Sequence, residues 1–124
     1  MNYTHEFDEA SGICTIRVTG VFRRPEDSDE LKRFAADFFT SNGCRLFLID
    51  VSQTELIAGT MPTFYAGTPQ GELARVLRQV KTAFVRRSLT EDDHFLETVA
   101  VNRGFKLRAF DSIDKAVAWL ARGT

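Results

Sequence analysis

Residues Arg45-Leu46-Phe47-Leu48-Ile49-Asp50 set four consecutive apolar side chains between charged ends. So short and uniform a run reads as a fully buried strand that ends at an acidic residue. Open α/β sheets place their working loops just beyond the carboxyl ends of such strands, so function is to be sought directly after Asp50. The segment from Val51 to Thr60 supplies hydroxyls and one carboxylate there, with no His, Cys, Lys or Arg to partner them. The position suggests a site, and the residues for catalysis are missing from it.

The rest of the chain builds outward from this strand. Tyr3 to Asp8 and Ile13 to Val18 alternate apolar and polar residues around Glu9-Ala10-Ser11-Gly12, which predicts a β-hairpin that Gly20 ends. Leu31, Phe34, Ala35, Phe38 and Phe39 recur at helical spacing, Pro25 suits the first turn of that helix, and Asn42-Gly43 stops it. A helical region is expected over roughly 62–79. It is interrupted near Gly67-Thr68-Pro69, where Thr68 can cap and Pro69 can open a second segment whose apolar face is Leu73, Val76, Leu77 and Val80. Thr82 to Val85 reads as a further short buried strand. Thr90-Glu91-Asp92-Asp93 fits a capping box whose carboxylates complement the helix dipole. Leu96, Val99 and Ala100 should face inward on that helix, and Gly104 should end it. Phe105 to Phe110 alternates as a strand, Asp111 or Ser112 caps the last helix, and Ile113, Ala116, Val117 and Leu120 form its apolar stripe beside Trp119. The order is β-β-α-β-α-β-α-β-α, with no linker or repeat to divide it.

At 124 residues this is a single α/β domain over 1–124 with one core expected. Hydrophobic residues at 44% and charged residues at 27% favour neither disorder nor stable membrane insertion, and no apolar run approaches the ~20 residues a bilayer requires. The first residues carry neither a basic region nor an apolar stretch, so a cytoplasmic location is expected. Cys14 and Cys44 lie far apart in sequence and read as reduced thiols packed as small hydrophobes, with no spacing for a metal site. The net charge of -1 covers ten acidic and six basic residues before position 61 and seven acidic and ten basic after it. Arg75, Arg78, Lys81, Arg86 and Arg87 follow one another without an intervening anion. If they share a face they make a positive patch, either a solvated surface or a dock for an acidic partner or anionic head group. The patch lacks interleaved aromatics, so nucleic acid is not an expected partner.

The whole chain resembles the SpoIIAA-like family of STAS-related domains, whose fold is shared with CRAL-TRIO lipid-binding proteins. The resemblance rests on Val18-Thr19-Gly20 closing the hairpin, on Leu46-Phe47-Leu48-Ile49-Asp50-Val51-Ser52, and on the ending Phe110-Asp111-Ser112-Ile113-Asp114-Lys115-Ala116-Val117-Ala118-Trp119-Leu120. It implies a mixed five-stranded β-sheet flanked by four helices. In the anti-sigma-factor antagonists of that family the loop after the third strand ends in aspartate-serine-serine-glycine, and a partner kinase phosphorylates the first serine. The corresponding positions here are Ala58, Gly59, Thr60 and Met61, so the aspartate and the phosphoacceptor serine are both replaced and only Thr60 keeps a hydroxyl. Asp50, Ser52 and Thr60 are therefore the residues that the resemblance assigns to a regulatory loop.

No enzyme is expected. His5 and His94 stand outside any catalytic motif, and only a composite of Asp50 with Cys14 or His94 could assemble in three dimensions. No cofactor or metal is called for. Eleven phenylalanines are many for this length. Adjacent pairs such as Phe38-Phe39 and Phe64-Tyr65 point about 100° apart on a helix, so one member can enter the core while the other covers a groove. Such aromatics, with Met61 nearby, suit a phenylalanine-rich core, a lipid-like ligand cleft or a patch closed by a second copy. Expected partners are accordingly a second copy as a homodimer, a regulatory protein, or a small apolar or anionic lipid held with Arg86 or Arg87 near its head group.

Overall fold

A computed structural model describes residues 1–122. The elements are β1 (Asn2–Asp8), β2 (Ile13–Arg23), α1 (Glu26–Asn42), β3 (Leu46–Ile57), α2 (Thr60–Ala66), α3 (Gly71–Leu77), β4 (Lys81–Val85), α4 (Glu91–Asn102), β5 (Lys106–Phe110) and α5 (Ile113–Leu120). The five strands form one sheet in the order β1-β2-β3-β4-β5, with β1 antiparallel to β2 and all later pairs parallel. Crossovers of one hand between strands laid down in one direction put their helices on one face of a sheet. Thus α1, α3 and α4 share a core with Cys14, Ile16, Val18, Phe47, Ile49 and Phe84. The alternate side chains, Ile13, Leu48, Ala83, Val85 and Phe110, point the other way and meet α5.

Local chemistry sets the ends of most elements. Gly12 closes the hairpin turn at φ 74, where Asp8 accepts from the Ala10 N–H and the Ser11 hydroxyl. Gly43 ends α1 at φ 72 and returns its N–H to the Phe39 carbonyl. Thr90 and Asp93 form the reciprocal capping box, and Ser112 caps α5. Cys14 and Cys44 are buried free thiols, and burial pushes the Cys14 thiol up to about 11.

Several expectations are corrected. The hairpin pairing ends at Asn2↔Thr19, beside Gly20 as expected, but β2 itself runs on through Gly20, at φ 87, to Arg23. Nor does β3 stop near Asp50. It continues to Ile57, paired with that extension from Thr19↔Gln53 to Arg23↔Ile57. The pairing shifts by one residue just past Asp50, whose Oδ1 accepts from the Ser52 N–H at 3.0 Å and the Ser52 hydroxyl at 2.6 Å. Among the described residues there are five helices instead of four, because the 62–79 region is two separate helices. Thr68 caps nothing; its hydroxyl donates back to the Phe64 carbonyl at 3.0 Å, and Gln70 precedes α3. On α5 only Ala116 and Leu120 are buried, while Ile113 and Val117 remain exposed. On α4 Val99 is half-buried, lying against α2.

Candidate functional site

The residues singled out after Asp50 occupy a strand and a helix start. Asp50 and Ser52 are half-buried and bonded to each other, and Thr60 is the exposed first residue of α2, behind Gly59. Strand alternation puts Asp50 on the opposite face of the sheet from Cys14, whose side chain lies in the core with Phe47, Ile49 and Val51. His94 is exposed on α4. The Asp50 carboxylate is thus not assembled with either partner considered for it.

The aromatic residues divide into two groups. Phe38 is half-buried among His5, Phe7, Phe34 and Phe47, and Phe39 lies under the Arg45 guanidinium, 5.0 Å from ring centre to Cζ. Phe64 is half-buried beneath Arg103. Met61 and Tyr65 are each 55% exposed one helical turn apart on α2, with Ile57 46% exposed at the end of β3 just before them. These three form an apolar strip where the extended β3 enters α2.

The arginines do not converge. Arg75 pairs with Glu72 on the surface, and Arg78 sits over the Phe105 ring and donates to the Arg103 carbonyl. Arg87 is exposed, and Arg86 turns inward toward Asp93, at 3.6 Å.

That inward turn exposes what sequence reasoning missed. Arg24 and Asp93 make a salt bridge of 2.9 Å with both side chains 0% exposed. Asp93 Oδ2 also accepts from the Thr90 N–H at 2.9 Å, so one carboxylate closes the helix cap and holds a buried guanidinium. Two guanidiniums therefore crowd one buried carboxylate, with half-buried Asp92 attracting Arg24 from further off. Burial pushes the Arg24 guanidinium down from its ordinary value, and the Asp93 hydrogen bond opposes that shift. Among the described residues Arg24 Nε and Nη1 find no hydrogen-bond partner, although the Phe84 ring 5.2 Å from Cζ offsets part of that cost.

Arg24 also belongs to the wall of a cavity of about 80 Å³ between the helices and the sheet. The wall is mainly apolar, with Phe22, Leu31, Ile49, Leu77, Phe84 and Ala100 among its residues. Lys32 and Lys106 are also in the wall; Lys32 donates to the Ala66 carbonyl, pairs with Asp29 at 3.4 Å, and is pushed down from its ordinary value by burial. Gly67 is also in the wall and lies close to α4: a Cβ there would stand 3.0 Å from Val99 Cγ1, which would have to give way.

No family model matches the sequence and no curated relative matches it. Two solved structures are similar across nearly the whole chain. One is an anti-sigma factor antagonist from Mycobacterium paratuberculosis, at 14% identity and a TM-score of 0.54, covering 98% of this chain and 94% of that one. The other is an uncharacterized protein from Shewanella loihica with a SpoIIAA-like fold, at 12% identity and a TM-score of 0.57, covering 96% and 92%. The chain therefore has the SpoIIAA-like, STAS-like fold. Among the described residues no helix is long and apolar enough to cross a membrane.

Proposed function

We propose that the protein is a non-catalytic, STAS-like regulatory domain that acts by protein contact, and that its first partner is a second copy of itself. The observation that carries this is the exposed apolar strip Ile57, Met61 and Tyr65, at the end of the sheet where the resemblance places a regulatory loop. A net charge of -1 opposes self-association only weakly. The solved neighbour described as an anti-sigma factor antagonist supports a regulatory role by analogy of fold. Sedimentation of the full chain tests it. A dimer that Met61→Ser with Tyr65→Ser converts to monomer is the expected result, and a wild-type chain that stays monomeric at millimolar concentration overturns the dimer.

A second reading, a domain that binds a small apolar or anionic molecule, is favoured by a separate observation. The core keeps an apolar cavity with cations in its wall. Co-purifying mass in native mass spectrometry, lost on denaturation, is the outcome expected of that reading.

A further inference from the structure

We propose that the open groove at the N-terminal ends of β3, β4 and β5 binds a phosphate group carrying two or more charges, as in a phosphomonoester or a diphosphate. The groove lies apart from the apolar strip and shares only Lys106 with the cavity beside Arg24, so it does not depend on what either of those binds.

Four cations reach the groove from separate elements. Arg45 directly precedes β3, Lys81 and Lys106 open β4 and β5, and Arg122 follows α5; Ser11 and Gln79 line the groove with them. Among the described residues none of the four is in an ion pair, and no carboxylate lines the groove. Asp8 bears on the rim, where it accepts from the Ser11 hydroxyl and the Ala10 N–H.

The ladder places two of these charges side by side. Lys81 stands directly opposite Lys106 in the parallel β4–β5 pair, so both side chains leave the same face of the sheet. Like charges on neighbouring strands repel. Lys81 is 8% exposed, and burial, then Arg122 and Lys106, push its ammonium down from its ordinary value, with no anion among the described residues to oppose them. Closure of α5 accounts for Lys81, whose Nζ donates to the Trp119 and Arg122 carbonyls. It does not account for Lys106, Arg122 or Arg45, which commits only Nη1, to the Gln79 carbonyl. A phosphomonoester brings nearly two negative charges and three acceptor oxygens that can be met from several sides. A carboxylate brings one charge on two coplanar oxygens and relieves less of the repulsion.

The test is an NMR titration of the isotope-labelled full chain with sodium pyrophosphate at low salt, with acetate as the monovalent comparator. Pyrophosphate is expected to saturate at about millimolar concentration or below and to move the amide signals of Ser11, Gln79, Lys81 and Lys106, with acetate about tenfold or more weaker. Lys106→Gln with Arg122→Gln, both at exposed positions, should weaken pyrophosphate about tenfold or more while the chain still unfolds cooperatively. Arg75→Gln with Arg87→Gln removes the same charge outside the groove and should leave binding within about twofold. Cosedimentation with vesicles containing phosphatidic acid separates the two sources of such a group. Vesicle binding that is lost in the Lys106, Arg122 variant assigns the groove to a lipid head group, and any other vesicle result assigns it to a soluble phosphate compound. Equal weakening by the two double variants reduces the effect to diffuse surface charge and overturns the site. Acetate that matches pyrophosphate, or the absence of any saturable shift, overturns it as well.

Discussion

Under α5 the sheet meets Ala116 and Leu120 in a buried apolar cluster, with Ala83 and Ala116 both at 0% exposure, and buried Lys81 beside it donates to the Trp119 and Arg122 carbonyls at the end of the helix. Under α1, α3 and α4 the same sheet meets a larger core that borders a buried salt bridge and leaves about 80 Å³ empty. One helix is fixed by close approach of small side chains, and the other layer is held apart by bulky ones around a charged group. Close packing of small side chains leaves little tolerance for change. The contrast between the two faces can be probed by substitution.

The largest effect is expected at the salt bridge. Asp93→Ala leaves Arg24 buried without its carboxylate and removes the α4 cap, and should cost roughly 3–5 kcal/mol in urea unfolding. If the loss were under about 1 kcal/mol, the pair would be no more than a surface-type contact. Next comes a matched pair of overfilling variants. Ala116→Leu should cost about 1–3 kcal/mol on the α5 face, whereas Ala35→Leu, entering the cavity, should stay within about 1 kcal/mol of wild type. Equal costs would break the distinction between the faces. Gly67→Ala, which pushes a Cβ onto Val99, is expected to cost about 1 kcal/mol by thermal or urea unfolding. The Cys14 thiol, pushed up to about 11, should resist a disulfide reagent in the native protein at pH 8 and react as pH approaches 11 or on unfolding. Because its native value is raised, the stability it contributes is present below about pH 9 and is lost as pH climbs toward 11. Glu72→Ala, which breaks the exposed pair with Arg75, should leave the unfolding midpoint unchanged within error.

What the sequence made legible was chemistry that acts within a few residues. The buried run Leu46–Ile49, the Thr90–Asp93 box, the Ser112 cap and the glycine after α1 all declare themselves locally, and with the hairpin they define a five-stranded α/β domain. The extension of β3 was harder to see because its second half is polar. Even so, Gln53, Glu55 and Ile57 alternate outward against half-buried Ser52, Thr54 and Leu56, a period of two that could have announced it. The Arg24–Asp93 pair joins residues 69 positions apart, a separation that no local pattern encodes. Asp93 was visible only as a cap, since its second partner exists only once β2 and α4 are brought together. A void is the difference between packed volumes, so the cavity had no sequence signature at all.

The unequal strand lengths have a mechanical consequence. β4 and β5 are five residues long, whereas β2 and β3 run to eleven and twelve and leave the sheet as a two-stranded ribbon. At the tip of that ribbon the Arg24 N–H donates to the Ile57 carbonyl at 3.0 Å. The residue that opens the exposed strip and the residue that charges the cavity wall are thus yoked by one peptide hydrogen bond. A load on the strip that shifts Ile57 therefore draws on the anchorage of Arg24 beside its buried partner Asp93.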